Sequence, residues 1–298
     1  MKISLGSWAF AFGPYSDHPV SFEDTVKKLS AAGYDGVEVC GFPPHVTLDK
    51  YPDSASRARL LRFIREHGLG VSGYAADFSS CAPTAKENRG RYLELFRRNV
   101  ELCRDLEIPG IRVDSVVGPL ALKDEEYADA RARLADAWRE CAETAKDAGM
   151  RMVWEFEPGF AFNKPSEVVA LVERVGHANF GVLFDTSHAH MCAVVGARQR
   201  GVKETLPDGV AEFLRLLAGR IGHIHLIDSD GSLHNDETST HAPFGTGHIN
   251  FRELAPLLLA VPGITWWCID MCFWPQSWEL VDSAREYVAN LLAAPAAA

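Results

Sequence analysis

Short apolar or β-branched runs alternate along this chain with longer stretches of helical periodicity, and the alternation repeats without a break. The runs fall at residues 3–5, 36–40 (GVEVC), 70–74 (GVSGY), 110–114 (GIRVD), 152–157 (MVWEFE), 181–185 (GVLFD), 221–227 (IGHIHLI) and 265–270 (TWWCID). Each has the length of a strand and is apolar enough to be covered on both faces. Between them the period changes. Leu93, Phe96, Val100 and Cys103 share one face of a segment from about 86 to 106, and Leu134, Trp138, Cys141 and Ala145 do so within 124–148. Val281, Ala284, Val288 and Leu291 repeat the pattern near the end. Pro165-Ser166-Glu167 supplies a proline-led helix start, while Gly33, Gly68, Gly149 and Gly176 stand where helices should stop.

Strands alternating with helices imply a parallel α/β sheet, and eight βα units close into a (β/α)8 TIM barrel. An open doubly wound sheet is the competitor. It is disfavoured because no Gly-rich phosphate fingerprint follows the first strand, and because polar residues stand at nearly every strand end, where a barrel would gather them at one mouth. The expectation is one barrel domain over residues 1–298, with 293–298 a frayed tail. The longest loops, 41–53, 194–207 and 228–250, all follow strands and would shape a pocket there.

Composition narrows the partners. With 47% hydrophobic and 23% charged residues the chain is an ordinary globular one, and a net charge of -10 provides no field to attract a nucleic acid. Seven cysteines are scattered without a C-x-x-C pair, which fits a reducing compartment. The start MKISLGSWAF lacks the basic and long apolar regions of a leader, and no apolar stretch reaches the ~18 residues of a membrane span. A cytoplasmic protein with no membrane partner, acting on a small molecule and open to homo-oligomerisation, is expected.

The chemistry gathers at strand ends, most abruptly where the run 181–190 (GVLFDTSHAH) delivers Asp185 followed by His188 and His190. Strand side chains alternate, so Glu155 and Glu157 share one side, as do His223 and His225, and Arg112 and Asp114. With Val153, Ile224 and Leu226 expected to pack outward, these polar groups face the interior and need partners. A divalent ion is an economical one. Glu157, Asp185, His225 and Asp270, one from each of strands five to eight, form a carboxylate and imidazole set suited to Mn²⁺ or Mg²⁺ and compatible with Co²⁺ or Zn²⁺. Such an ion would keep positions open for two substrate oxygens and act as a Lewis acid. Glu157 is preferred at the rim, with Glu155 one layer deeper and paired with Arg112.

Each residue also has a structural reading: a core histidine for His225, a helix cap for Asp270, a salt bridge for Glu38, a solvent-facing chain for Lys164. Their joint occurrence on four consecutive strand ends favours the metal. Proton transfer next to a carbonyl needs a further acid or base. Glu38 and His188 are the candidates, and Glu155 is counted with them among the catalytic residues. Lys164 is a candidate substrate contact, as are Trp8 and Trp274 among the aromatic residues Trp8, Phe10, Phe160, Phe162, Phe273 and Trp274 near strand ends, whose faces can stack on sugar C–H groups.

Four segments, AAGYDGVEV (31–39), VLFDTSHAH (182–190), IGHIHLIDSDG (221–231) and HAPFGTGHINF (241–251), resemble the xylose isomerase-like barrel superfamily, in particular its sugar phosphate isomerase/epimerase group. The resemblance implies metal ligands at Glu157 or Glu155, Asp185, His225 and the acid of strand eight. That acid is usually Glu in the epimerases and is Asp270 here, which suits a ligand better than a proton-transferring base. Ketose epimerases also carry an Arg shortly after the strand-seven His, where this chain reads His225-Leu226-Ile227-Asp228-Ser229-Asp230-Gly231. His241 would contact substrate, as an acid or as a brace of its loop. The implied function is a metal-dependent isomerase or epimerase of a sugar, keto-sugar or cyclic polyol. The alternative is a lyase or dehydratase acting on a 3-keto-glycoside or inosose. A related branch of abasic-site endonucleases is disfavoured by the net charge of -10.

Overall fold

The structure, a computed structural model, describes residues 1–293. Along the chain come β1 (Lys2–Gly6), α1 (Phe22–Ala31), β2 (Gly36–Cys40), α2 (Ser54–Glu66), β3 (Gly70–Ala75), α3 (Arg89–Asp105), β4 (Gly110–Val113), α4 (Asp124–Asp147), β5 (Arg151–Glu155), α5 (Pro165–Val175), β6 (Phe180–Asp185) and α6 (Thr186–His190). They are followed by α7 (Gly209–Leu216), β7 (Ile221–Leu226), the short strands β8 (Leu233–His234) and β9 (Thr238–Ser239), α8 (Phe251–Leu259), β10 (Trp266–Ile269) and α9 (Val281–Ala293). The expected frayed tail lies outside the described residues, apart from Ala293, which ends α9.

Eight parallel strands close into a barrel in the order β1-β10-β7-β6-β5-β4-β3-β2, while β8 and β9 form a separate antiparallel pair. Pairing of Lys2 with Trp266 and of Leu5 with Ile269 joins the last strand to the first and rules out the open sheet. Local chemistry sets the helix ends. The Ser21 hydroxyl accepts from the Asp24 N–H at the start of α1, Asp53 does the same for α2, and Pro165 opens α5, which Gly176 closes in a left-handed turn at φ 56°.

The strands expose one side to the helices and the other to the barrel interior. On β5 the outward residue Trp154 packs on Trp138 of α4 (ring centroids 5.4 Å apart), and just beyond the strand Phe156 meets Phe213 of α7 at 4.9 Å. Such aromatic pairs contribute roughly 0.5–1.5 kcal/mol each beyond the area they bury. Val153 corrects an expectation. It has the same parity as Glu155, so it lines the interior with Arg151 and Arg112 rather than packing outward. Ile224 and Leu226 do belong to the outer apolar layer, alternating with His223 and His225. Register shifts at Val37/Glu38 and Val182/Leu183 bend β2 and β6 just before their functional side chains. Among the described residues no helix is long and apolar enough to cross a membrane.

Candidate active site

A cavity of about 440 Å³ opens at the C-terminal ends of the strands. Its walls include Trp8, Arg112, Glu155, Glu157, His188, Thr238, His241 and Asp270. At its base, Glu155, Asp185, His225 and Asp270 each offer one donor atom, and all four atoms lie within 4.8 Å of one another.

Each donor is held by its own strand end. Asp185 is the last residue of β6 and the N-cap of α6, so its Oδ1 accepts from the His188 N–H (2.8 Å) while Oδ2 stays free. Asp270 follows β10 directly, and its Oδ1 accepts from Trp8 Nε1 (2.8 Å) and the Cys272 N–H (3.1 Å). Its Oδ2 lies 3.5 Å from His225 Nδ1. His225, wholly buried in β7, directs Nε2 to Glu38 Oε1 (3.2 Å), and its Nδ1 lies 3.1 Å from Glu155 Oε1 without hydrogen-bond alignment. Glu155 also pairs with the Arg112 guanidinium.

The fit of a cation follows from the leftover atoms. Among the described residues, Glu155 Oε1, Asp185 Oδ2 and His225 Nδ1 are buried without a hydrogen-bond partner. Burying three carboxylates against one arginine is costly unless further positive charge joins them. The strain shows in the titration of the group. Burial pushes Asp185 up to about 7. Burial also opposes charge on Glu155, but Arg112 prevails and holds it near 2. His225, despite burial, is drawn well above its usual value by Glu38, Asp270 and Glu155. Three carboxylate oxygens and one imidazole nitrogen form a donor set that suits a hard or borderline divalent ion.

Glu155, and not the expected Glu157, is the carboxylate from the end of β5 that the structure brings into this quartet. β5 ends at Glu155, paired with Leu183 of β6, and the chain then leaves the ladder toward Pro158. Alternation alone gives both glutamates the same side; the departure of the chain after β5 separates them. Glu157 lies on the cavity wall, hydrogen-bonded by the Thr238 hydroxyl of β9, and burial together with the charge on Glu155 pushes its carboxyl up to about 7.

Other expectations are redistributed. Glu38, expected among the catalytic residues, is not in the cavity lining; its carboxylate is engaged by His223 Nε2 (2.6 Å) and His225 Nε2, below the quartet, where it holds the ring of His225. His188 is on the wall, with Nδ1 2.8 Å from Ser239 Oγ, and burial followed by the charge on His241 depresses it to about 3, a neutral ring. His241 is on the wall too, with Nδ1 3.2 Å from Asp270 Oδ1. Burial works against its charge, but Asp270 and Asp185 push it up to about 9. Trp8 faces the cavity.

Lys164 and Trp274 are not among the side chains lining it. Lys164 precedes α5, donating its N–H to Glu167 (3.3 Å). After Asp270 the chain passes through a left-handed Phe273 (φ 66°), with Phe273 on the wall, stacked on His234 at 4.4 Å, and Trp274 in a local turn closed by Ser277. Phe160 also lines the cavity, whereas Phe10 and Phe162 are core residues. Sequence reasoning missed Arg198 and Thr238 on the wall, since Arg198 lies in a long loop and Thr238 in the two-residue strand β9, neither long enough to show periodicity.

The xylose isomerase-like TIM barrel family matches residues 26–288, and the chain belongs to that family. A D-psicose 3-epimerase of Enterocloster bolteae is 24% identical over 223 residues, a region spanning 69% of this chain and 65% of that protein. The solved IOLI protein with a binding zinc atom has a TM-score of 0.71 at 17% identity, over 98% of this chain and 97% of the other. The probable 3-DHS dehydratase AsbF of Bacillus anthracis has a TM-score of 0.71 at 16% identity, over 97% and 99% of the two chains. The similar proteins thus include a sugar epimerase and a dehydratase on one fold.

Proposed function

We propose that this protein is a divalent-metal-dependent enzyme that removes a proton beside a carbonyl of a sugar, keto-sugar or cyclic polyol and returns it to the same skeleton, as an isomerase or epimerase. The quartet of Glu155, Asp185, His225 and Asp270, with its orphaned donor atoms, carries the reading. These four residues would hold the ion, manganese or magnesium by preference for a carboxylate-rich set, with cobalt or zinc compatible. Bound there, it supplies Lewis acidity toward a carbonyl and a neighbouring hydroxyl.

The chain's own residues supply the rest. Glu157, poised near neutral pH on the cavity wall, is the proton acceptor, because a base whose pKa lies near the working pH combines availability with strength. His188, neutral and fixed through Nδ1 by Ser239, presents Nε2 to a substrate hydroxyl. Trp8 steadies Asp270 by donating Nε1–H to its Oδ1. His241, kept protonated beside Asp270, is the acid.

That acid also favours a second reading, elimination of water or an alcohol from the next carbon, since a leaving oxygen needs a proton as it departs. The similarity to a dehydratase supports it as well. Both readings share the first step. Chelation followed by metal add-back, with a panel of keto-sugars and inososes in D₂O, tests them together. Deuterium in a skeleton of otherwise unchanged composition supports the isomerase, loss of water or of an aglycone supports the lyase, and full activity in chelator overturns the metal.

A further inference from the structure

Two residues beyond β7, Asp228 is fully buried and turns its carboxylate away from the cavity into the loop at 241–250. Its Oδ1 accepts from the N–H groups of Ser229 (2.8 Å) and Ile249 (3.1 Å), and its Oδ2 from those of Gly245 and Gly247 (3.0 Å each). The main chain adds two further ties: the Ala242 N–H donates to Asp228 O (3.0 Å) and the His248 N–H to Ser229 O (2.7 Å). A charged acceptor makes each of its bonds stronger than a neutral one would. Only glycine fits the closest approach, because a Cβ on Gly247 would stand 2.4 Å from Asp228 Oδ1.

His241 begins this loop, immediately before the tied Ala242. Its ring faces the cavity 3.2 Å from Asp270 and 5.1 Å, centroid to centroid, from His188, yet neither ring nitrogen has a hydrogen bond of good geometry among the described residues. The loop has no regular strand or helix to hold it; Thr240, just before His241, is tied to Ser232 and Ser187, and the clasp holds the backbone on the side that follows His241. We infer that Asp228 is a positioning residue that places His241 at the cavity by gathering three backbone N–H groups of its loop, without touching substrate itself. The inference rests on the role proposed above for His241.

Asp228→Asn keeps the size but sets an NH₂ group against backbone donors. In the metal-loaded protein it should lower kcat about 10- to 100-fold with KM little changed, the scale of a reacting group displaced by roughly 1 Å, and leave metal content intact. Hydrogen exchange at Gly245, Gly247 and Ile249 should accelerate. A double-mutant cycle separates positioning from general damage: in a His241→Asn background, Asp228→Asn should cost nothing further. An equal loss in both backgrounds overturns the inference, as does unchanged exchange in the loop. If Asp228→Asn does not fold, Gly247→Ala, which crowds the same carboxylate, takes its place in the cycle and in the exchange experiment. If the wild type turns over none of the sugars tried, the functional reading fails, while the exchange result still decides the clasp.

Discussion

Two carboxylate and histidine groups share His225, one below the other in the barrel. In the lower group, Glu38 gives one oxygen to His223 at 2.6 Å and the other to His225 at 3.2 Å, with Ser72 Oγ a further 3.5 Å contact. In the upper group, Glu155 Oε1, Asp185 Oδ2 and His225 Nδ1 keep unspent lone pairs. Both sets have metal-ligand residue types within 4.8 Å. The difference is in what the donors already do. The lower group is satisfied internally and fixes the ring of His225, with Nε2 turned to Glu38; the upper group receives the opposite nitrogen and keeps donors that a cation would satisfy. Proximity of ligand-type residues does not by itself distinguish the two groups; unspent donors do.

The sharpest way to break this comparison is Asp185→Asn, which should abolish metal retention and lower kcat by about 10³-fold or more, measured by elemental analysis and turnover with circular dichroism as the fold control. Retained metal would remove the upper group from consideration. Glu157→Gln comes next: about 10²-fold or more in kcat, with metal content unchanged, because Glu157 is on the wall and outside the quartet. A loss of metal instead would return Glu157 to the ligand set. Glu38→Gln should weaken metal affinity about 10- to 100-fold and recover activity in excess metal. If it strips the ion as completely as Asp185→Asn, the lower group is itself a ligand set.

The smallest effect lies in the pH dependence of the metal-free protein. His241 is pushed up to about 9, so the stability it contributes is complete below about pH 6.5 and is lost as pH rises through 9. Asp185, raised by burial to about 7, adds a loss of the same sign as pH rises from about 4 to 7. Glu38 is depressed in the lower group, against its burial, by His223 and His225, so its contribution changes only in acid. Scanning calorimetry of chelator-treated protein should show Tm falling by about 5 °C between pH 6.5 and 9, and a saturating divalent ion should flatten the slope. A flat profile without metal would mean that the upper group bears no such strain.

Much of the architecture was legible because periodicity is a local property. Alternating β and α periods fix what each segment buries, and eight such units leave few closed arrangements other than a barrel. Three of the four quartet residues, Asp185, His225 and Asp270, could be read as polar groups ending apolar runs. Glu155 could not be separated from Glu157, because parity treats them alike and only the departure of the chain after β5 distinguishes them. Val153 was assigned to the wrong face, although its parity with Glu155 was available. Lys164 and Trp274 stand off the cavity lining for a different reason: backbone turns, one at the start of α5 and one at left-handed Phe273, decide which neighbouring side chain meets the cavity.

The sequence by itself determined the order and kind of the elements and the stock of acids and imidazoles at the strand ends, since these follow from spacing and residue type along the chain. Tertiary structure decided which atoms of that stock remain unspent. Whether Glu38 meets the cavity or His225, whether Asp228 looks into the cavity or into the loop of His241, and which glutamate at the end of β5 completes the quartet all depend on partners 17 to 187 residues away in the chain. Hydrogen bonds fall off within about an ångström of misplacement, and no local pattern carries that information.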